Sequence, residues 1–468
     1  MSRAERSAHQ APVVTGSGAA GAAPVLPPDF ARRADLLLAA TDADLARFYP
    51  GENPARQPVH TCYVPADLVT EDTPAQWGTA ALAAAEEAGG LPELARLAGI
   101  DDDAAPDLVE RVARKLRTEP VEDLRLDLED GYGVRPDAEE DADAVAAART
   151  VATFARHRAS GDTPAPAFAG IRFKCFEAAT RARGLRTLDL FLSTLVREGG
   201  LREAGISEDG LPAGLVLTLP KVSAVEQVRV MVEACAAFED ALDLPAGRLR
   251  FEIQMETPPM ILGLDGTCPI PAMLGAAEVR VSALHYGTYD YSVSLGISGQ
   301  FQSLEHPAAD HAKNVMQVAV AGTGVNLSDG STNRLPVGDP AQRRESWQLH
   351  ARLVRRSLER GIYQGWDLHA HQLPTRFLTN YAFYRGAFDD AARRLVAYAG
   401  RSVPGIEAAD VADEPATARA LARYVVRGLL CGAVTEDELH AAGLDPATVR
   451  SVANPGAAAS SSSSEESA

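Results

Sequence analysis

From residue 59 onward the chain alternates short runs of β-branched and aliphatic residues with longer stretches rich in Ala, Arg and Leu. A parallel α/β fold produces this pattern. The clearest run is Phe251-Glu252-Ile253-Gln254-Met255-Glu256, which Pro258-Pro259 brings to an end. Its apolar and polar residues alternate with period two, so it reads as a strand with one apolar and one polar face. Counting such runs gives eight strands, at 59–64, 124–129, 170–175, 215–219, 250–256, 278–284, 324–327 and about 363–369. Helix-forming stretches lie between them, among them 138–157, 185–197, 224–241, 308–321 and 341–360. Eight alternations predict a (β/α)8 TIM barrel, and an open doubly wound sheet gives a similar pattern. No strand-linked G-x-G-x-x-G and no Walker-type loop supports a nucleotide-binding alternative.

The spacing also predicts what surrounds the barrel. Residues 1–28 are rich in Ala, Gly, Pro and Ser, and the reading is a disordered tail. Its apolar run is broken by Gly and Ser before an export signal forms. The barrel domain is placed at 29–385, with an insertion after strand one at about 65–121 that carries helices near 76–87 and 108–115 and is a candidate lid. A helical extension follows at 386–453, including 388–399, 415–430 and one helix opened by a capping box at Thr435 and Glu438. The Ala/Ser/Glu-rich segment 454–468 is assigned no structure.

Composition narrows the function classes. A chain of 468 residues with 46% hydrophobic content can bury a large core. A formal charge of -19 argues against nucleic acid and anionic membranes as partners, because both require a basic surface. An anionic substrate therefore needs a local basic pocket or a metal. The five scattered cysteines read as reduced thiols of a cytoplasmic protein rather than as disulfides or a zinc site. No apolar run is long enough to span a bilayer.

Charge recurs on the polar faces of several strands, near the ends where barrels of this kind place their chemistry. Strand two carries Arg125, Asp127 and Glu129 opposite Leu124, Leu126 and Leu128, followed by Asp130. Strand three offers Arg172 and Lys174, strand four ends in Leu219-Pro220-Lys221, strand five ends in Glu256, and the loop after strand six presents Asp290. Buried charges must be paired or bind an ion. Two readings follow: an internal ion-pair network of Arg125, Asp127, Glu129 and Arg172, or a metal site with an anionic ligand.

The ordered set Leu126-Asp127-Leu128-Glu129-Asp130, Arg172, Leu219-Pro220-Lys221, Met255-Glu256-Thr257 and Gly287-Thr288-Tyr289-Asp290 resembles the aldolase and citrate-lyase beta-subunit (HpcH/HpaI-like) family of the phosphoenolpyruvate/pyruvate barrel superfamily. Tyr63-Val64-Pro65 and Leu368-His369-Ala370-His371-Gln372 are similar to further family segments. The resemblance covers about residues 58–385 and implies that Glu256 and Asp290 are protein ligands of Mg²⁺. Their carboxylates suit a hard cation that keeps several waters. It also implies that Arg172 pairs with a substrate carboxylate, a contact that suits a planar guanidinium. Lys174 and Lys221 are expected beside the substrate. Asp127, Glu129 and Asp130 would hold metal-bound waters or orient their neighbours. Lys174 departs from the family, which commonly has Asn there, and Ala370 stands where Pro is usual.

The expected activity is that of a Mg²⁺-dependent carbon-carbon lyase or aldolase acting on a small 2-oxo acid or related carboxylate, working as a homo-oligomer. Candidates for the base are a metal-bound hydroxide, Asp329 at the end of strand seven, and His369. Phosphoryl transfer to or from phosphoenolpyruvate is one alternative, and a barrel that binds a metabolite without turning it over is another. A transition-metal site at His369 and His371, and a phosphate loop at 322–324 or 328–330, have simpler explanations in local hydrogen bonding and turn chemistry.

Overall fold

The computed structural model describes residues 25–101, 105–400 and 414–455. Most of the tails assigned to 1–28 and 454–468 thus lies outside the described residues. The chain forms two compact units, Met1–Arg47 and Phe48–Ala468. The first contributes nearly all of one amphipathic helix, Phe30–Phe48, in a segment where the sequence pattern assigns no element.

The second unit holds eight strands: β1 (His60–Pro65), β2 (Asp123–Asp127), β3 (Phe168–Arg172), β4 (Leu215–Leu219), β5 (Phe251–Met255), β6 (Val281–Tyr286), β7 (Asn326–Ser328) and β8 (Gly365–Asp367). All pair in parallel in the order β7-β6-β5-β4-β3-β2-β1-β8. A parallel bridge between Ser328 and Gln364 joins β7 to β8 and closes the ring. This is the expected (β/α)8 barrel, with helices between the strands and a helical C-terminal extension. No helix of the described residues is long and apolar enough to cross a membrane.

Strand boundaries differ from the sequence reading where local chemistry intervenes. The run predicted at 124–129 ends at Asp127 because its carboxylate accepts the N–H groups of Glu129 and Gly131, which turns the chain. The run predicted at 278–284 begins only at Val281, since Glu278 and Val279 both hold positive φ (50° and 64°) in a turn. The crossover from β1 to β2 contains three helices, Thr73–Glu87, Leu91–Leu97 and Ala105–Thr118. They pack against the helix Leu373–Gly386 that follows β8, so this segment belongs to the outer helical layer. Within the segment, Gly78 lets the first of these helices pass close to the third: a Cβ there would stand 2.2 Å from the Leu116 carbonyl.

The last four helices, Phe388–Gly400, Pro415–Cys431, Glu436–Ala441 and Pro446–Ala453, share a small core of their own built on Phe388, Leu395, Val425, Leu439 and Val449. The capping box forms as expected. Thr435 accepts the Glu438 N–H at 3.2 Å, and the Glu438 carboxylate accepts the Thr435 N–H at 2.9 Å.

Alternation sends Leu124, Leu126, Ile171, Leu217 and Ile253 outward against the helices, where they are fully buried. The opposite faces fill the barrel, and there the side chains are polar. Arg125, fully buried, donates to Asp123 at 2.8 Å and to Glu252 at 2.9 Å. Thr61 donates to Asp123, and Trp366 donates to His285, whose other ring nitrogen lies 3.2 Å from Glu252. Burial pushes the Asp123 carboxyl up to about 6 even though Arg125 pulls it down. Against the same burial, His285 and Arg125 hold Glu252 down at about 2. An ion-pair network does fill the barrel at this depth, with Arg125 as the cation shared by Asp123 and Glu252. Of the residues expected from the sequence to form one, only Arg125 belongs to this layer, and Asp127, Glu129 and Arg172 lie above it.

Replacing Arg125 with Met strands both carboxylates in the barrel. The expected cost is about 3–5 kcal/mol, read as a lower urea midpoint; an unchanged midpoint contradicts the pairing.

Candidate functional site

Above this layer, toward the C-terminal ends of the strands, lies a second set of charges. Asp127 ends β2 and Arg172 ends β3. The Arg172 guanidinium uses Nε and Nη2 on the two oxygens of Asp127, at 2.6 Å each. Its plane lies over the Tyr63 ring, 4.8 Å from the centroid. Asp127 has two jobs at once, holding the guanidinium and capping the loop that carries Glu129 and Asp130. Asp127 takes the Nε and Nη2 donors of the expected substrate-binding arginine, and the Nη1 edge faces onward, toward Glu129 at 3.7 Å and Gln254.

Lys221 follows Pro220 at the end of β4 and is held at φ 49°. A non-glycine residue pays strain in this region, and such strain is commonly found at functional sites. The turn presents both ends of the residue. The Lys221 N–H donates to Glu256 Oε1 at 2.8 Å. The ammonium reaches back across the mouth to Glu129 at 2.7 Å and Asp130 at 2.5 Å, with Asp290 at 3.8 Å. Burial works against the Lys221 charge, but the attraction of Glu129 and Asp130 outweighs it and holds the ammonium more firmly protonated than usual.

Glu256 is the first residue past β5 and is almost fully buried. Burial and, next, the Asp290 charge push its carboxyl up to about 8. Asp290 lies in the first turn of the helix Thr288–Ser294 after β6, with its side chain 42% exposed. Gly287, before that helix, lets the backbone pass against Glu256: a Cβ there would stand 2.3 Å from Glu256 Oε2. In the amide orientation that satisfies both ends, Gln254 accepts from Arg172 Nη1 and donates to Glu256 Oε1, at 3.2 Å each. Burial raises Glu129 despite Arg172 and Lys221, whereas the Lys221 contact holds Asp130 low against burial.

Of the residues singled out from the sequence, Asp127, Glu129, Asp130, Arg172, Lys221, Glu256 and Asp290 form one connected cluster. Three do not join it in the expected way. Lys174 turns outward, its ammonium held by the Leu128 and Gly133 carbonyls and 2.8 Å from buried Glu140, so it does not lie against a substrate. Asp329 points into the helical layer, where Lys313 at 3.0 Å and Ser357 at 2.5 Å bind its carboxylate. Its carboxylate is thus engaged away from the mouth of the barrel. His369 uses Nδ1 to accept the His371 N–H at 3.1 Å. The neutral ring then carries its proton on Nε2 and offers a donor, not a base.

Sequence reasoning missed Tyr63 and Gln254 as parts of this cluster, although the period-two face of β5 placed Gln254 between Glu252 and Glu256. Buried Lys313 had no signal, because one lysine in an ordinary helical pattern reads as solvated. Among the described residues no group of three or more His, Cys, Asp and Glu side chains stands arranged as a ready-made metal cage. The oxygen donors come as the pair Glu256 and Asp290, with Glu129 and Asp130 across Lys221. A pair of hard donors fits Mg²⁺, which takes one or two protein carboxylates and keeps water on its other positions. The Lys221 ammonium lies among Glu129, Asp130 and, at 3.8 Å, Asp290.

No curated protein matches the sequence. Among solved structures, a citrate lyase from Burkholderia xenovorans LB400 aligns at 18% identity over 83% of this chain and 98% of its own, with a TM-score of 0.50. At that identity the likeness shows the barrel fold. A malate synthase from Haloferax volcanii aligns at 16% identity over 74% of this chain and 86% of its own, with a TM-score of 0.42. The protein CitE from Mycobacterium tuberculosis, in complex with magnesium, acetoacetate and coenzyme A, aligns at 18% identity over 81% of this chain and 99% of its own, also with a TM-score of 0.42. One family model, a domain of unknown function (DUF6986), matches residues 38–456, nearly the whole of the chain, and the chain belongs to that family.

Proposed function

We propose that this chain is a Mg²⁺-dependent carbon-carbon lyase or aldolase of the citrate-lyase beta-subunit kind, acting on a 2-oxo acid or related carboxylate. The observation that carries the reading is the buried Glu256 carboxyl beside Asp290 at the C-terminal mouth of the barrel, where burial and mutual repulsion leave it short of a cation. Glu256 Oε1 is committed to the Lys221 N–H, which leaves Oε2 and the Asp290 carboxylate to hold the ion. Mg²⁺ held there would supply a Lewis acid for the negative charge that develops on the substrate as the bond breaks.

The chain's own residues do the rest. Asp127 fixes the Arg172 guanidinium so that its Nη1 edge points at the mouth, and this donor steadies negative charge on the substrate. Lys221 adds a second positive group, held in place by Glu129 and Asp130. In cleavage, the electrons of the broken carbon-carbon bond stay with the carboxylate-bearing fragment as its enolate. The hydroxyl of the other fragment loses a proton and becomes a carbonyl, and the enolate is then protonated on carbon. Asp329 and His369 do not accept the hydroxyl proton, since Lys313 and Ser357 engage the first and the His371 N–H occupies the acceptor nitrogen of the second.

Proton NMR of pyruvate in D2O tests the reading. The protein with Mg²⁺ is expected to exchange the methyl protons, and Glu256→Gln to slow that exchange at least about a hundredfold. Gln is isosteric with the protonated carboxyl and can still accept the Lys221 N–H, so the variant stays folded. Absence of exchange by the wild type, or wild-type exchange by the folded variant, contradicts the assignment.

Gly287→Ala probes the same carboxylate sterically. Its Cβ meets both Oε2 and Cβ of Glu256, with an expected loss of about 1–3 kcal/mol in urea unfolding and weaker Mg²⁺ binding by calorimetry. A variant matching the wild type in both measurements shows that Glu256 can move aside without consequence.

A further inference from the structure

At the opposite end of the barrel, where β1, β7 and β8 begin, lies a cavity of about 440 Å³. Its roof is the helix Pro415–Cys431 of the C-terminal extension. The volume lies within the range that holds small organic ligands. Val320, Val325, Val426 and Leu430 supply apolar wall. The charged part is two arginines one turn apart on the roof helix, Arg423 and Arg427, facing one carboxylate, Glu52.

Glu52 lies outside regular structure, between the helix Phe30–Phe48 and β1. One of its oxygens accepts from Arg423 at 3.0 Å and the other from Arg427 at 2.6 Å. The arginines are positioned independently of it. Arg423 Nε donates to the Ala453 carbonyl at 3.0 Å, and the Arg427 guanidinium lies over the Tyr363 ring, 4.1 Å from the centroid. Among the described residues the Arg427 guanidinium makes no hydrogen bond other than that to Glu52. Two cations facing one anion leave a net positive spot in a chain whose formal charge is -19.

We infer that this cavity is a binding site for a small organic monocarboxylate with an apolar body, whose carboxylate takes the place of Glu52 between Arg423 and Arg427. The Glu52 carboxylate shows that the arginine pair accepts this group with one oxygen on each guanidinium, and charge-assisted hydrogen bonds of this kind are stronger than neutral ones. The valines and Leu430 take up the apolar part. The site is separate from the carboxylate cluster at the other end of the barrel and does not depend on the reaction proposed there. Glu52 competes with the ligand, so removing its charge strengthens binding, whereas removing an arginine weakens it.

Calorimetric titration of the full chain with hexanoate, without Mg²⁺, tests the inference. Inorganic phosphate and hexylamine serve as probes that lack the apolar body and the negative charge, respectively. Glu52→Gln is expected to bind hexanoate about tenfold more tightly than the wild type, and Arg427→Met about tenfold or more weakly. Glu256→Gln leaves the affinity unchanged, and the two control probes bind more weakly than hexanoate. The gain in Glu52→Gln cannot come from a folding defect. Equal affinity in the wild type, Glu52→Gln and Arg427→Met, no binding by either the wild type or Glu52→Gln, or an affinity that follows Glu256 overturns the inference.

Discussion

The Asp127–Arg172 pair is the contact on which the mouth of this barrel depends. Both partners are buried, and the pair is bidentate at 2.6 Å. A buried ion pair of this kind is poor evidence of added stability, because desolvation offsets most of the attraction. Its value here is positional. Asp127 has no freedom left, since the N–H groups of Glu129 and Gly131 take up the same carboxylate. Through it the end of β2, the loop bearing Glu129 and Asp130, and the end of β3 become one rigid piece. Lys221 reaches from β4 to that loop, and its own N–H holds Glu256 after β5. Four successive strand ends are thus tied by charge-assisted hydrogen bonds, and Asp290 after β6 borders the result.

The two layers of charge inside the barrel differ in completeness. The deeper one, around Arg125, contains its own cation and a histidine beside Glu252, and it is sealed by strands on every side. The outer one ends with a carboxyl at Glu256 that burial and Asp290 push up to about 8. A layer that pairs its charges is structural; one that leaves a buried carboxyl short of a partner, beside an exposed acid at a barrel mouth, is where an added cation lowers the free energy most. That difference places the ion-pair reading at the deeper layer and the proposed metal site at the outer one.

Period-two alternation made the strands and their polar faces legible, because a barrel interior built of Thr61, Arg125, Glu252 and His285 is written in the sequence as a polar residue at every second position. The order of Asp127, Arg172, Lys221, Glu256 and Asp290 along the chain likewise follows from one strand end after another facing a common mouth. Side-chain direction was not legible. Lys174 is on the same face as Arg172 by alternation, yet it lies beyond the last residue of β3, where the pleat no longer governs it, and Glu140 draws it outward. Asp329 ends a strand as a catalytic acid would, but it too lies past the final residue of β7 and turns to Lys313. Tertiary partners 16 to 34 residues away decided both cases, and no local pattern encodes them.

The central claim is that Glu256 and Asp290 together hold a divalent cation, and a crystal grown with Mn²⁺ tests it most directly through the metal's anomalous scattering. The account predicts one strong peak within bonding distance of both carboxylates, lost in Glu256→Gln. A well-ordered site with no peak there, or with a peak that persists in Glu256→Gln, would contradict it.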